Sequence, residues 1–276
     1  MEVLFGVLST VVNLAIFGVI AWAIVRLLGR RSEGDEEAEV DRATSVRRLF
    51  VYGLMLVTLI LSAMGATMVG RMLLTSSWSD EERTEFALGL AFTLVAGPAY
   101  VFLLRFARGR LRDDEGERTS LAWAAYLNTA LASSLIVSIV FVQNFLEGVF
   151  GVDEFEWRLI APAVGWAAVW AMHWFWLRPT HGLPGDLHLA LGSLSGLVTM
   201  MVGLGGVVYV AGDEIYASVV ERLPARHESP ELATWLIATG LGAVVWAWHW
   251  LGSYLRAERT PLWHVFVLPI GTLGGL

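Results

Sequence analysis

VWAMHWFWLRP at residues 169–179 returns as VWAWHWLGSYLRA at residues 245–257, and this recurrence decides how the chain is divided. A shift of 76 residues, 249 minus 173, sets Ala167, Val169, Trp170, Ala171, His173 and Trp174 on Ala243, Val245, Trp246, Ala247, His249 and Trp250. The same shift carries His188 onto His264, in a chain with only 6 histidines, so the match reads as internal duplication. A fainter copy, VFLLRF at residues 101–106, puts Phe102 at the tryptophan position and Arg105 at the histidine position. Upstream, SVRRLFVY from Ser45 and SLAWAAYL from Ser120 each open on serine and reach a tyrosine, Tyr52 and Tyr126, within two turns.

The copies lie in apolar surroundings. Hydrophobic residues make up 56% of the 276 and charged residues 16%, a balance outside the range of soluble domains. Apolar runs of about 20 residues, each enough to cross a hydrocarbon core as a helix, occur at roughly 3–28, 48–73, 86–107, 120–146, 158–177, 187–211 and 232–255. None alternates as a barrel strand does. An eighth run opens at Leu262 and gives only about 22 Å of helix by Leu276, with Pro269 and three glycines weakening it. The sequence therefore predicts an all-α polytopic bundle of seven full spans plus a partial eighth. Its single transmembrane domain, 1–276, divides into a first span at 1–28, hairpin repeats at 45–112, 118–178 and 185–256, and a partial span at 261–276. Each repeat has an even number of spans, so the copies share one orientation about an axis along the membrane normal.

Arginine placement orients these spans. All 19 basic residues are arginine; fourteen fall in alternate loops on one side, whereas Arg71, Arg83, Arg158, Arg222 and Arg226 fall on the other among acidic residues. By the positive-inside rule the N-terminus lies outside a bacterial inner membrane and the arginine-rich loops face the cytoplasm. The first run opens on acidic Glu2 and ends at Arg26, Arg30 and Arg31, the reverse of a signal peptide, which favours a retained span. RRSEGDEEAEVDRATSVRR, at residues 30–48, reads as a solvated, partly disordered loop, and DEIYASVVERLPARHESPE, from Asp213, as a connection containing an amphipathic surface helix.

These repeats resemble bacterial multi-pass membrane proteins of uncharacterised function, built from tandem two-helix units that open on Arg-x-x-(Phe/Tyr)-x-Tyr and close on Trp, His and Arg. Only Arg48-Leu49-Phe50-Val51-Tyr52 keeps both arginine and tyrosine in the opening. The resemblance implies a repeat membrane fold and supplies no activity.

Several function classes are excluded outright. Without lysine the chain forms no retinal Schiff base, and without cysteine it has no disulfide, thiolate nucleophile or iron–sulfur ligand. No basic stripe suits nucleic acid, despite the net charge of −7 spread through the loops. Walker, Gly-x-Ser-x-Gly and His-Glu-x-x-His motifs are missing, so no catalytic residue is assigned. Mid-span Asp, Glu and Arg are lacking too, which argues against proton-coupled carriers; Asn13, Asn128, Ser133, Ser134, Thr199 and residues 203–206 are the only candidates for a polar path or broken helix.

What remains is aromatic and imidazole chemistry. Trp170, Trp174, Trp246 and Trp250, with Arg105, read as interface anchors, because an indole pairs an apolar body with one N–H donor. For His173, His188, His249 and His264 two readings stay open: interfacial histidines stacked on tryptophan, or haem or metal ligands in which each hairpin brings two imidazoles to one depth. Small residues at four-residue spacing, Ala130 with Ser134 and Ser138, Gly192 with Gly196, and Ala238 with Gly242, mark close helix contacts. The function that fits is a non-enzymatic scaffold or assembly subunit with no favoured cofactor, partnered by the lipid bilayer and by other membrane subunits or copies of itself. A b-type haem electron-transfer subunit and a neutral-solute channel or transporter are the alternatives.

Overall fold

The computed structural model describes residues 36–76, 78–177, 183–221 and 229–254, together with His264. The predicted spans at 1–28 and 261–276 lie outside these residues, apart from His264. All the regular structure among the described residues is helical: α1 (Glu36–Leu73), α2 (Asp80–Asp113), the short α3 (Glu115–Arg118), α4 (Leu121–Val149), α5 (Ile160–Leu177), α6 (Leu183–Tyr216) and α7 (Ser229–Tyr254), with a 3-10 turn at Trp157–Leu159 and a π turn at Ala217–Glu221. Six of these helices are long and apolar enough to cross a membrane, so the chain is of the membrane-protein class.

Local chemistry sets the helix ends. Ser79 starts α2 with a reciprocal capping box: its hydroxyl accepts from the Glu82 N–H at 3.3 Å, and its own N–H donates to Glu82 Oε2 at 2.7 Å. Three acids, Asp80, Glu81 and Glu82, face the positive end of that helix dipole. Asp114 caps α3 through Gly116 N–H, and Ser120 caps α4 through Trp123 N–H. The charged stretch expected as a loop is helical over its described part, from Glu36 onward. Likewise α6 runs on to Tyr216 and passes straight into the π turn, so the helix expected on the surface after Asp213 begins as a continuation of a span.

Packing follows where side chains are absent. α1 lies against α2, α4 and α5; α4 also touches α5, α6 and α7; and α6 pairs extensively with α7. Gly65 and Gly89 meet back to back in the first hairpin: a Cβ on Gly65 would stand 2.6 Å from the Gly89 carbonyl oxygen. Gly196 and Gly242 meet the same way between α6 and α7, where a Cβ on Gly196 would reach the Trp246 backbone nitrogen at 2.3 Å. In a bilayer no hydrophobic drive holds helices together, so close backbone approach and dispersion must. The Ala130, Ser134 and Ser138 strip is buried as well.

Asn13 lies outside the described residues, and the described candidates for a polar path bond to their own helices. Ser134 bonds the Ala130 carbonyl, Thr199 the Ser195 carbonyl and Asn128 the Ala124 carbonyl, each one turn back on its own helix. Residues 203–206 lie within unbroken α6, with Gly203 seated on Thr239 and Gly206 on the Trp235 ring. These glycines admit neighbouring bulk rather than breaking the helix.

The bundle has two chemically different ends. Acidic residues dominate one, where Arg158 pairs with Glu82 and with Glu156, and Arg71 pairs with Glu85. The Arg158 guanidinium donates to both Glu156 oxygens and holds that carboxyl below its usual range. At the other, arginine-rich end lie the openings of α1, α4 and α6 and the closings of α2, α5 and α7.

The backbone crossing gives a direct test. Gly242→Leu places a side chain against the backbone of Met200 and should lower stability in detergent by about 3 kcal/mol, at the upper end of overpacking costs. Gly240→Leu, two residues away with nothing within 4 Å, should leave the thermal midpoint nearly unchanged. Equal midpoints for the two variants would contradict the crossing.

Candidate functional site

Two adjoining clusters fill the arginine-rich end. The first begins with a buried charge. Glu117, on the single turn α3, is 3% exposed, and its carboxylate accepts from Arg48 Nε at 2.8 Å, Arg47 Nη2 at 3.3 Å and the Tyr52 hydroxyl at 3.0 Å. Arg48 also donates to Asp114 at 3.1 Å, so the residue that caps α3 ties it to the first turns of the α1 span. A carboxylate buried this deeply persists only when charge-assisted hydrogen bonds replace its water, and three donors do so here. The loop between α2 and α4 is thereby fastened to α1.

Below the carboxylate the aromatics interlock. Tyr52 packs on Trp123 at 5.3 Å and on Tyr126 at 6.0 Å between ring centroids, while Trp123 and Tyr126 stack at 5.4 Å. Tyr126 is fully buried, with its hydroxyl 2.8 Å from His173 Nε2 and 3.2 Å from the Tyr100 hydroxyl. Proton positions follow from the one group that can only accept. His173 Nδ1 lies 2.8 Å from the Val169 carbonyl, so it carries the hydrogen, and Nε2 of the neutral ring is an acceptor. Tyr126 therefore donates to His173, and Tyr100 donates to Tyr126. Every polar atom of this chain is used. Trp176 closes it, edge-on to His173 at 4.9 Å, with the Arg108 guanidinium over the indole at 4.9 Å from its centroid.

The second cluster centres on His188 and His249, which are 1% and 2% exposed. Their rings meet edge-on at 5.2 Å across the pairing of α6 with α7. His249 enters because Gly192 has no side chain: a Cβ there would stand 2.2 Å from the imidazole. Trp170 lies 6.2 Å from His249 and 6.4 Å from His188, and Trp174 lies 4.9 Å from His188. His249 Nδ1 donates to the Val245 carbonyl at 2.8 Å, as His173 does to Val169. The difference is at the other nitrogen. Among the described residues His249 Nε2 has no hydrogen-bond partner, nor have the indole N–H groups of Trp170 and Trp246 or the Ser193 hydroxyl.

The four sequence-predicted histidines thus separate. Pairing was expected within hairpins, His173 with His188 and His249 with His264. The imidazoles in ring contact are instead His188 and His249, because glycine lets α6 and α7 close face to face. His173 has both nitrogens engaged, and His264 is exposed. Haem held between two imidazoles needs ring centroids about 6.2 Å apart, from metal–nitrogen distances near 2.0 Å and a ring radius near 1.1 Å. Rings at 5.2 Å in edge contact leave no space for a macrocycle between them. Groups of three or more His, Cys, Asp or Glu able to hold a metal are absent among the described residues.

The anchors divide similarly. Trp170 and Trp174 stack on each other at 5.8 Å and pack inward on the histidines, so their indoles serve the bundle interior. Trp246 and Trp250 are half-buried, whereas Trp248 is 60% exposed. Arg105 is exposed, unlike the buried histidines to which the sequence aligns it, so the third copy lacks their surroundings. Glu117, Asp114 and Tyr100 were missed by the sequence reading. A buried loop carboxylate has no motif, although Asp-x-x-Glu just before the Ser120 cap was visible.

The bonding order within the first cluster is testable by denaturant unfolding in micelles. Tyr126→Phe strands both the Tyr100 hydroxyl and His173 Nε2 and should cost about 2–3 kcal/mol. Tyr100→Phe removes one donor from an atom that keeps its other bond and should cost about 1 kcal/mol. Equal losses would refute Tyr126 as the shared link of the chain.

Comparison with known proteins covers part of this arrangement. Residues 48–172 match a family model described as a domain of unknown function, DUF5671. The match opens at Arg48, includes Tyr52, Tyr100, Glu117 and Tyr126, and ends before His173, His188 and His249. Neither the curated proteins nor the solved structures give a match to the chain.

Proposed function

We propose that the protein is an integral scaffold or assembly subunit of a bacterial inner membrane, without catalytic activity of its own. The observation that carries this reading is the closure of the first cluster. Glu117 is consumed by Arg47, Arg48 and Tyr52, and Tyr126 by Tyr100 and His173, so the groups most able to do acid–base work are engaged in fixing α1, α2, α4 and α5 to one another. Such closure rigidifies one end of the bundle. A rigid, arginine-rich face suits docking of other subunits.

The N-terminus lies outside and the arginine-rich end in the cytoplasm, by the distribution of arginine among the loops. The chain has seven full spans and a partial eighth, in tandem hairpins of one orientation. Supporting the repeat, Tyr52 and Tyr126 are both buried near the starts of their spans, and His173 and His249 make the same bond to a carbonyl four residues back. Lipid covers the outward faces, and other membrane subunits or further copies of the chain complete the assembly.

The natively expressed chain, extracted into nanodiscs without overproduction, tests the proposal. The particle should contain defined partner chains at fixed ratio, or several copies of this one, and its mass should exceed that of a single 30.3 kDa chain. Its spectrum should lack a Soret band. A lone chain that carries solute across reconstituted vesicles, or a haem-coloured preparation, would overturn the assignment.

A further inference from the structure

We propose that His188 and His249, with the face of Trp170, form a binding site for a single monovalent soft cation of the copper(I) type. The inference goes beyond the scaffold reading and does not depend on it.

The pair holds an acceptor left unsatisfied among the described residues. His249 is 2% exposed, and its Nδ1–H is committed to the Val245 carbonyl, so its tautomer is set with a lone pair at Nε2. Among the described residues that lone pair meets no donor. A buried acceptor left this way is destabilising, so a bound donor or Lewis acid is the expected complement. Beside it stands a second imidazole, His188, at 5.2 Å.

Distances indicate which Lewis acid fits. The ring centroids of His188, His249 and Trp170 form a nearly equilateral triangle with sides of 5.2, 6.2 and 6.4 Å. Its centre lies roughly 3.5 Å from each ring, within cation–π reach of the indole. An ion about 2.0 Å from each imidazole nitrogen sits about 3.1 Å from each histidine centroid, a separation that two centroids 5.2 Å apart allow. The two imidazoles then subtend about 115° at the ion, which is bent rather than linear.

Charge and ligand number narrow the choice. No third His, Cys, Asp or Glu joins the pair in a metal-sized group among the described residues. Zinc would lack half of its usual four ligands, and a buried divalent ion would have no anionic ligand to offset its charge. Copper(I) carries one charge, accepts low coordination numbers and takes imidazole nitrogen. The Trp170 ring borders the remaining side of the site.

Silver(I), a redox-inert stand-in, and copper(I) under anaerobic reduction are the probes, used on the full chain in detergent. Wild-type protein should retain one ion per chain after desalting, by native mass spectrometry, and X-ray absorption should show nitrogen neighbours. His249→Gln and His188→Gln should each weaken retention at least tenfold in competition with a chromophoric chelator, while His264→Gln leaves it unchanged. Wild type that holds no ion, or holds it as tightly as His249→Gln does, overturns the site. Should the glutamine variants fail to fold, the wild-type spectrum decides alone: nitrogen neighbours support the site, and sulfur-only coordination by methionine, or no ion, refutes it.

Discussion

Where two helices cross without side chains between them, the bilayer leaves only dispersion and backbone contact to hold them. Among the described residues two such crossings stand out, Gly65 on Gly89 and Gly196 on Gly242, each within a hairpin. The rest of the arrangement depends on them. Because Gly196 and Gly242 bring α6 and α7 together at mid-span, Gly192 lies close enough one turn away for His249 to fill the space a side chain would occupy. The histidine contact is therefore a consequence of glycine packing, since no ion, ligand or polar bond is needed to bring those two rings together.

The bundle ends then divide the electrostatic work. A carboxylate in the hydrocarbon interior would cost more than any single partner returns, and no buried pair is placed at mid-span. Glu117 avoids that penalty by sitting on a short turn beside two arginines and a phenol. At the opposite end Arg158 and Arg71 bind acids on or before neighbouring helices. Both ends are thus fastened by ionic contacts, and the apolar middle is fastened by small residues.

Much of this was legible in the sequence. Apolar length gave six of the described helices, and four-residue spacing of Gly192 with Gly196 marked the right face. Tyr52 and Tyr126 stood out as members of a repeated opening, and both proved to be buried hubs. Helix boundaries were less readable, because features such as the capping box at Ser79 carry helices well past the apolar runs that define spans. Glu117 was hidden for a different reason. Its burial depends on where Arg47 and Arg48 arrive from α1, a tertiary fact carried by no local pattern. The histidine pairing was misread because chain proximity favours partners within a hairpin turn, whereas glycine packing selected His249 from the following helix.

His173 and His249 show how one duplicated segment acquires two chemistries. Each follows Val-Trp-Ala-x, and each fixes its tautomer through a 2.8 Å bond to the valine carbonyl four residues back. Helix geometry alone therefore leaves the same lone pair at Nε2 in both. What differs is the neighbour across the bundle. α4 offers His173 a phenol, which closes the valence and makes the histidine part of the frame. α6 offers His249 a glycine and another imidazole, which admit the ring but give its nitrogen no proton. A single change of neighbour, tyrosine against glycine, is enough to turn a structural histidine into a ligand-bearing one, and that divergence needs no alteration in the repeated segment itself.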